Sequence, residues 1–273
     1  MIREITIGQY YPADSAIHKL DPRVKLFTTL IYVIALFSFK GLLGFGIITL
    51  FLASVIGISK VPFGYMVKGL KAIVILLLIT AFLNLLFTPG DVTFFRFWRF
   101  QVTDAGVRNA VMMAVRLIYL ILGTSLMTLT TTPNQLTDGL ERSLRPLSKI
   151  HVPVHSIAMM MSIALRFIPI LIEETDKIMK AQMARCADFE TGNLIQRVKS
   201  MIPILVPLFV SAFRRADDLA MAMEARCYNG GEGRTKMKPL HYHANDGIAY
   251  LAVLLFLAAV IAARIWFPYP GQQ

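Results

Sequence analysis

Two cysteines in 273 residues, with no C-x-x-C between them, leave this chain without a disulfide framework or a dithiol redox motif. Charge is scarce as well: Asp, Glu, Lys and Arg make up 16% of the residues, against about a quarter in soluble domains. No GxxxxGK[ST] occurs. The glycine-rich NGGEGRT at 229–235 has no Lys-Ser/Thr and follows a helical pattern instead of preceding one, so the chain is not itself an ATPase. No Ser/His/Asp set or paired carboxylates recommend enzyme chemistry, and no catalytic residue is assigned. His151 and His155 have i, i+4 spacing, but Pro153 lies between them and no acidic or cysteine partner is evident, so no metal site is expected. Nucleic-acid binding calls for a one-signed basic patch with interleaved aromatics. The charged middle of the chain, 133–246, instead mixes 15 Lys/Arg with 12 Asp/Glu. No apolar h-region precedes a small-residue cleavage site near the amino terminus, so no removable signal peptide is read.

What the chain has in abundance is apolar length. Hydrophobic residues make up 56%, and mean hydropathy is +0.59. Runs at 26–39, 42–58, 72–87, 107–129 and 247–263 approach the roughly 17 to 25 residues that cross a hydrocarbon core. The composition is that of a polytopic membrane protein. Lys19, Arg23 and Lys25 precede the first run, and Lys60, Lys68 and Lys71 lie between the second and third. The positive-inside rule then places the amino terminus in the cytoplasm, the loop 89–104 outside, 133–246 inside and the carboxyl terminus outside, with Arg96, Arg99 and Arg264 on the opposite side from the rule. The outer loop, PGDVTFFRFWRFQVTD, alternates aromatic and Arg residues. It reads as a short strand or hairpin, or equally as an aromatic belt with snorkelling arginines. Arg116, in mid-span where an ionised residue is costly, reads either as a functional residue or as one that faces the bundle and bonds helix carbonyls or a neighbour such as Asn84.

The expected architecture is all-α: about five transmembrane helices plus a cytoplasmic module of one short and two long amphipathic helices. Residues 1–132 hold four spans, 133–246 the water-facing module, and 247–273 the last span. Within the module, NQLTDGLERSLRPL forms the short helix, closed by Pro146. Helical patterns at 154–187 and 194–228 follow, each about 50 Å long at 1.5 Å per residue. Both grade from apolar to charged, and Pro169, Pro203 and Pro207 should kink their apolar halves. They carry a repeat: KAQMARCADFETG and AMAMEARCYNGG each place Ala-Arg-Cys at the end of a long helix. Aligned on it, Glu173 matches Arg214 and Glu174 matches Arg215, so these four are expected to pair where the helices cross. The methionines, Met160 and Met161 among them, give the pair a soft, adaptable surface.

An arginine in the last turn of a helix favours the negative end of the helix dipole, which explains one such residue but not two in matched contexts. A guanidinium fork flanked by small residues, Arg185 between Ala184 and Cys186 and Arg226 between Ala225 and Cys227, suits entry into a groove on another protein. Two tips imply two docking sites.

The stretches HKLDPRVKL, TLTTTPNQLTDGLERSLRPL, ALRFIPILIEETDKIMKAQMARCADFETGN and VPLFVSAFRRADDLAMAMEARCYNGGEGRT resemble, along nearly the whole chain, the EcfT family. These are the transmembrane scaffolds of energy-coupling factor (ECF) importers of vitamins and metal ions, a branch of the ABC transporters. The resemblance implies a bacterial cell membrane and two cytosolic ATPase partners carrying ATP and Mg, with no cofactor on this chain. It also implies a separate membrane S-component that captures the substrate. The two Ala-Arg-Cys triplets would be the ATPase-docking tips. The apolar halves, with Met160, Met161, Leu205 and Leu208, would be the face offered to the S-component. Cys stands where the family's commoner form has Gly. Cys tolerates a left-handed cap less well than Gly, so each helix is expected to run on toward Gly192 or Gly230. The rival readings are a self-sufficient secondary transporter, for which mid-membrane offers mainly Arg116 and Asn84, and a structural scaffold without ATP dependence.

Overall fold

A computed structural model describes residues 10–38, 41–71, 73–88, 93–97, 100–189, 193–230, 237 and 239–266. Gly192, Arg99 and residues 231–236 of the NGGEGRT loop lie outside them. The described residues form an all-α fold interrupted by one short hairpin, in two compact units: 8–139 with 240–273, and 140–239.

In the first unit, α1 (Pro22–Ser38), α2 (Leu42–Ser59), α5 (Asp104–Thr130) and α9 (Ala244–Trp266) pack around one core. Tyr32, Leu36, Ile48, Leu52, Leu126 and Phe256 are buried together, with the Phe51 and Phe256 rings stacked at 4.2 Å between centroids. A helix, α3 (Phe63–Lys71), occupies what the sequence read as a connecting loop. It is amphipathic and buries Met66 completely, which anchors it although it is too short to span. Then α4 (Val74–Phe87) packs on α5, and between them β1 (Thr93–Phe97) pairs antiparallel with β2 (Phe100–Thr103), aligning Arg96 with Gln101 and Phe97 with Phe100. The alternation in the outer loop therefore encodes a hairpin. Arg116 stands 5.8 Å from the ring centroids of Phe37 and of Phe45, a cation–π placement. Asn84 instead donates its amide to the Thr80 carbonyl of its own helix.

The HKLDPRVKL stretch builds a buried polar knot at the start of α1. Asp21 accepts from the backbone N–H of Arg23 at 2.9 Å and from its guanidinium at 3.0 and 2.8 Å, while Pro22 takes the first helical position, where no N–H is needed. Burial pushes the Asp21 carboxyl up, but the Arg23 hydrogen bonds and charge outweigh it and hold it below the usual carboxylate range. Asp246, 1% exposed, accepts from the backbone N–H groups of Asp21 at 2.8 Å and His243 at 2.7 Å. Lys25 donates to the carbonyls of Thr130 at 2.8 Å and His18 at 3.1 Å. Three chain segments distant in sequence are thus tied at one end of the bundle.

A reciprocal capping box between Thr132 and Gln135, at 3.1 and 3.3 Å, starts α6 (Pro133–Leu144), which contributes residues to both units. As expected, α6 ends just before Arg145-Pro146, and Pro146 then sits in the first turn of a 3₁₀ segment, Arg145–Ile150. The second unit is dominated by α7 (Val154–Met183) and α8 (Leu194–Glu224), which pack on each other. Near the start of α7, His155 Nδ1 lies 3.0 Å from Glu141 Oε1, so the histidine has an acidic partner that the sequence did not reveal.

By length and composition α5, α7, α8 and α9 could each cross a bilayer, and α2 and α4 are shorter apolar helices. The protein is a multi-pass membrane protein.

Candidate docking site

Each long helix ends one residue before its Ala-Arg-Cys. At the first tip, Cys186 N–H donates to Met183 O at 3.0 Å and Ala187 N–H to Gln182 O at 3.0 Å. At the second, Cys227 N–H donates to Glu224 O at 2.8 Å and Tyr228 N–H to Met223 O at 3.0 Å. Both pairs are the 5→2 and 6→1 bonds of a Schellman ending, and they require the residue after the arginine to be left-handed. Cys186 and Cys227 adopt that conformation, with φ of 63° and 55°. The expectation that the helices run on toward Gly192 or Gly230 is therefore corrected. The two bonds satisfy carbonyls that would otherwise be orphaned, and together they outweigh the roughly 1 to 2 kcal/mol that a Cβ costs there.

The consequence is positional. The backbone reverses immediately after the arginine, so Ala184, Arg185 and Cys186, and likewise Ala225, Arg226 and Cys227, are exposed at the extreme end of a helix. Among the described residues neither arginine makes an ion pair. Both guanidinium groups are exposed. Replacing both cysteines by Gly should relieve the left-handed strain, partly offset by glycine's larger unfolded-state entropy, for a net gain within about 1 kcal/mol. A thermal unfolding midpoint in detergent a few degrees above wild type is the expected result. A lower midpoint would show that the cysteine side chains contribute something beyond backbone geometry.

Among the described residues, two side-chain hydrogen bonds join the helices behind the tips. Arg215 Nη2 donates to Glu174 Oε2 at 3.0 Å. Glu173 and Arg214 are both exposed, and among the described residues no ion pair joins them. Glu174 lies eleven residues before Arg185, and Arg215 eleven before Arg226. The contact is therefore about 16 Å along each helix from its tip. The second contact carried no motif: Gln182 Nε2 donates to the Pro203 carbonyl at 3.3 Å. Pro207, four residues on, has no N–H to give that carbonyl, so the amide from α7 replaces the missing bond of α8. Its one sequence signal was the spacing of Pro203 and Pro207.

The apolar halves of both helices face outward. Met160 is 58% exposed, Met161 39% and Leu205 45%, and Leu208 is half-buried. Ile157, Val206, Phe209 and Phe213 extend the same apolar surface.

Residues 13–237 match the CbiQ family, described as "Cobalt transport protein". A protein of Clostridium kluyveri named "Energy-coupling factor transporter transmembrane protein EcfT" is 58% identical over 98% of this chain and 99% of its own. Proteins of the same name from Thermosediminibacter oceani and Bacillus subtilis are 50% and 47% identical, over 97% and 96% of this chain and 100% and 98% of their own. The chain belongs to the CbiQ family and, within it, to the EcfT transmembrane proteins of energy-coupling factor transporters.

Proposed function

We propose that this chain is the coupling subunit of an importer. Arg185 and Arg226 dock into grooves on two cytosolic ABC-type ATPases, and the apolar halves of α7 and α8 carry an S-component that captures a vitamin or metal ion. ATP and Mg belong to the ATPases, so this chain transmits motion and catalyses nothing. The amino terminus and the tips lie in the cytoplasm, the carboxyl terminus lies outside, and the membrane is that of the bacterial cell. The domain reading goes with this: spans in 1–132 and 247–273, and the coupling module in 133–246.

The observation that carries the reading is the duplicated tip. Two long helices end in the same Schellman geometry with an exposed arginine at the same step. A self-sufficient carrier has no use for two such tips, whereas a pair of ATPase subunits presents two equivalent grooves.

The reading is tested by reconstitution. Proteoliposomes holding this chain, an ATPase pair and an S-component should accumulate substrate only with ATP, and uptake by the chain alone would sink the proposal. Cysteines placed at Met160 or Leu208 should crosslink to the S-component, because an exposed methionine-rich face suits a partner that is released and replaced. An active complex in which only the outer hairpin crosslinks would show that the binding surface is elsewhere.

A further inference from the structure

A cavity of about 390 Å³ lies inside the first unit, walled by α1, α2, α5 and α9 and by the segment before α1. That volume falls in the range of small-molecule sites, roughly 300 to 1,000 Å³. Its lining is ordered from end to end. Lys25, Thr130 and Asn245 mark one end, and Lys25 and Thr130 are hydrogen-bonded there. Tyr32, Gly123 and Val253 lie seven or eight residues further along their helices, which is about 10 to 12 Å.

Between the ends the walls are apolar, with Leu52, Val55 and Leu126 among them. Three of the four hydroxyls that line the cavity are spent on the fold: Thr29 donates to Lys25 O, Thr130 to Leu126 O and Tyr32 to Tyr119 O, which leaves that of Thr28. At the polar end Lys25 is buried, at 6% exposure, and its ammonium has three N–H donors, two of them used on the His18 and Thr130 carbonyls. The neighbouring carboxylates do not take the third. Asp21 is engaged by Arg23, and Asp246 by the N–H groups of Asp21 and His243. The rim includes Ile58 and Ile248, which are 54% and 66% exposed and continue into the outward apolar surface of α1 and α9 at Phe27, Leu30 and Leu251.

We infer that this cavity is a lipid site: one acyl chain of a membrane glycerophospholipid fills the apolar length, and a phosphate or ester oxygen of its headgroup accepts the remaining N–H of Lys25. An apolar void of this size forfeits dispersion contacts along all its walls when empty. The 10 to 12 Å between the ends holds the greater part of an acyl chain, which spans one leaflet of about 15 Å, half of the hydrocarbon core. The polar end supplies a donor and no spare acceptor carboxylate, which matches an ester or phosphate and not an amine.

The experiment uses the full-length chain purified in detergent, with a deuterated phosphatidylglycerol as probe and native mass spectrometry as readout. One probe molecule per chain should survive washing that strips the rest. Ala249→Leu with Ala252→Leu, which fills the cavity, should lower the retained fraction at least fivefold with unchanged helicity. Lys25→Met should lower it severalfold, and Asn245→Ala serves as a second polar-end variant should Lys25→Met fail to fold. Retention undiminished by the filling pair overturns the site. Retention undiminished by both polar-end variants overturns the headgroup contact. Occupancy by oleic acid with none by the phospholipid overturns the choice of lipid.

Discussion

Replacing Arg185 and Arg226 together by glutamate should abolish capture of the ATPases and with it ATP-driven uptake, while the chain still inserts in the membrane in normal amount. On the proposed docking, each substitution removes a charge-assisted contact worth about 1.5 to 3 kcal/mol and presents a repelling charge to the same acceptor. At 1.4 kcal/mol per factor of ten, each single change should weaken association roughly ten- to a hundredfold. Two independent tips should multiply those losses. Little instability is expected, because both side chains are exposed and unpaired with any described acid, and the Schellman bonds that shape the tips are backbone bonds. Pull-down of ATPase from membranes, normalised to the amount of chain inserted, is the measurement. Wild-type recovery with the double variant would remove the arginines from the docking role.

The second large effect is expected at the contact between the helices. Glu174→Arg places two guanidinium groups where Arg215 now donates to a carboxylate at 3.0 Å. Like charges about 4 Å apart cost about 1 kcal/mol in water and about 4 at a protein surface. Both side chains are partly exposed, so the lower part of that range applies, and stability should change by less than about 1 kcal/mol. Coupling should change more, on the proposal that this ion pair sets the angle between the two tipped helices. Uptake per ATP hydrolysed should fall severalfold in Glu174→Arg, with ATP hydrolysis retained. Adding Arg215→Glu should recover much of it by restoring the pair with its partners exchanged. A double variant no better than Glu174→Arg alone would mean that apolar packing sets the angle.

The helices of this protein were legible because their cause is local and repetitive: long apolar runs, Pro-marked starts and a period that changes at the outer hairpin. The paired tips were legible because a duplicated triplet survives in the chain as text. What could not be read depends on long-range closure. α3 was hidden because an amphipathic helix of nine residues resembles a basic loop until Met66 finds a core. The left-handed Cys186 and Cys227 were misread because residue preference was weighed without the two backbone bonds that override it. The four-residue charge cluster came from aligning the repeat, but side-chain reach joins only Glu174 and Arg215. The knot of Asp21, Lys25 and Asp246 joins residues more than two hundred positions apart, and no local pattern announces it.

The bond from Gln182 to the Pro203 carbonyl bears on how α8 carries load. A continuous helix under bending stress spreads it over every rung of its hydrogen-bond ladder. Pro203 and Pro207 remove two successive rungs on one side, so a bare α8 would flex there as at a scored line. The missing rung at Pro203 is supplied from the neighbouring helix, one residue before the end of α7. A bend at the scored line must therefore stretch a bond anchored beside the other tip, and neither helix can give way alone.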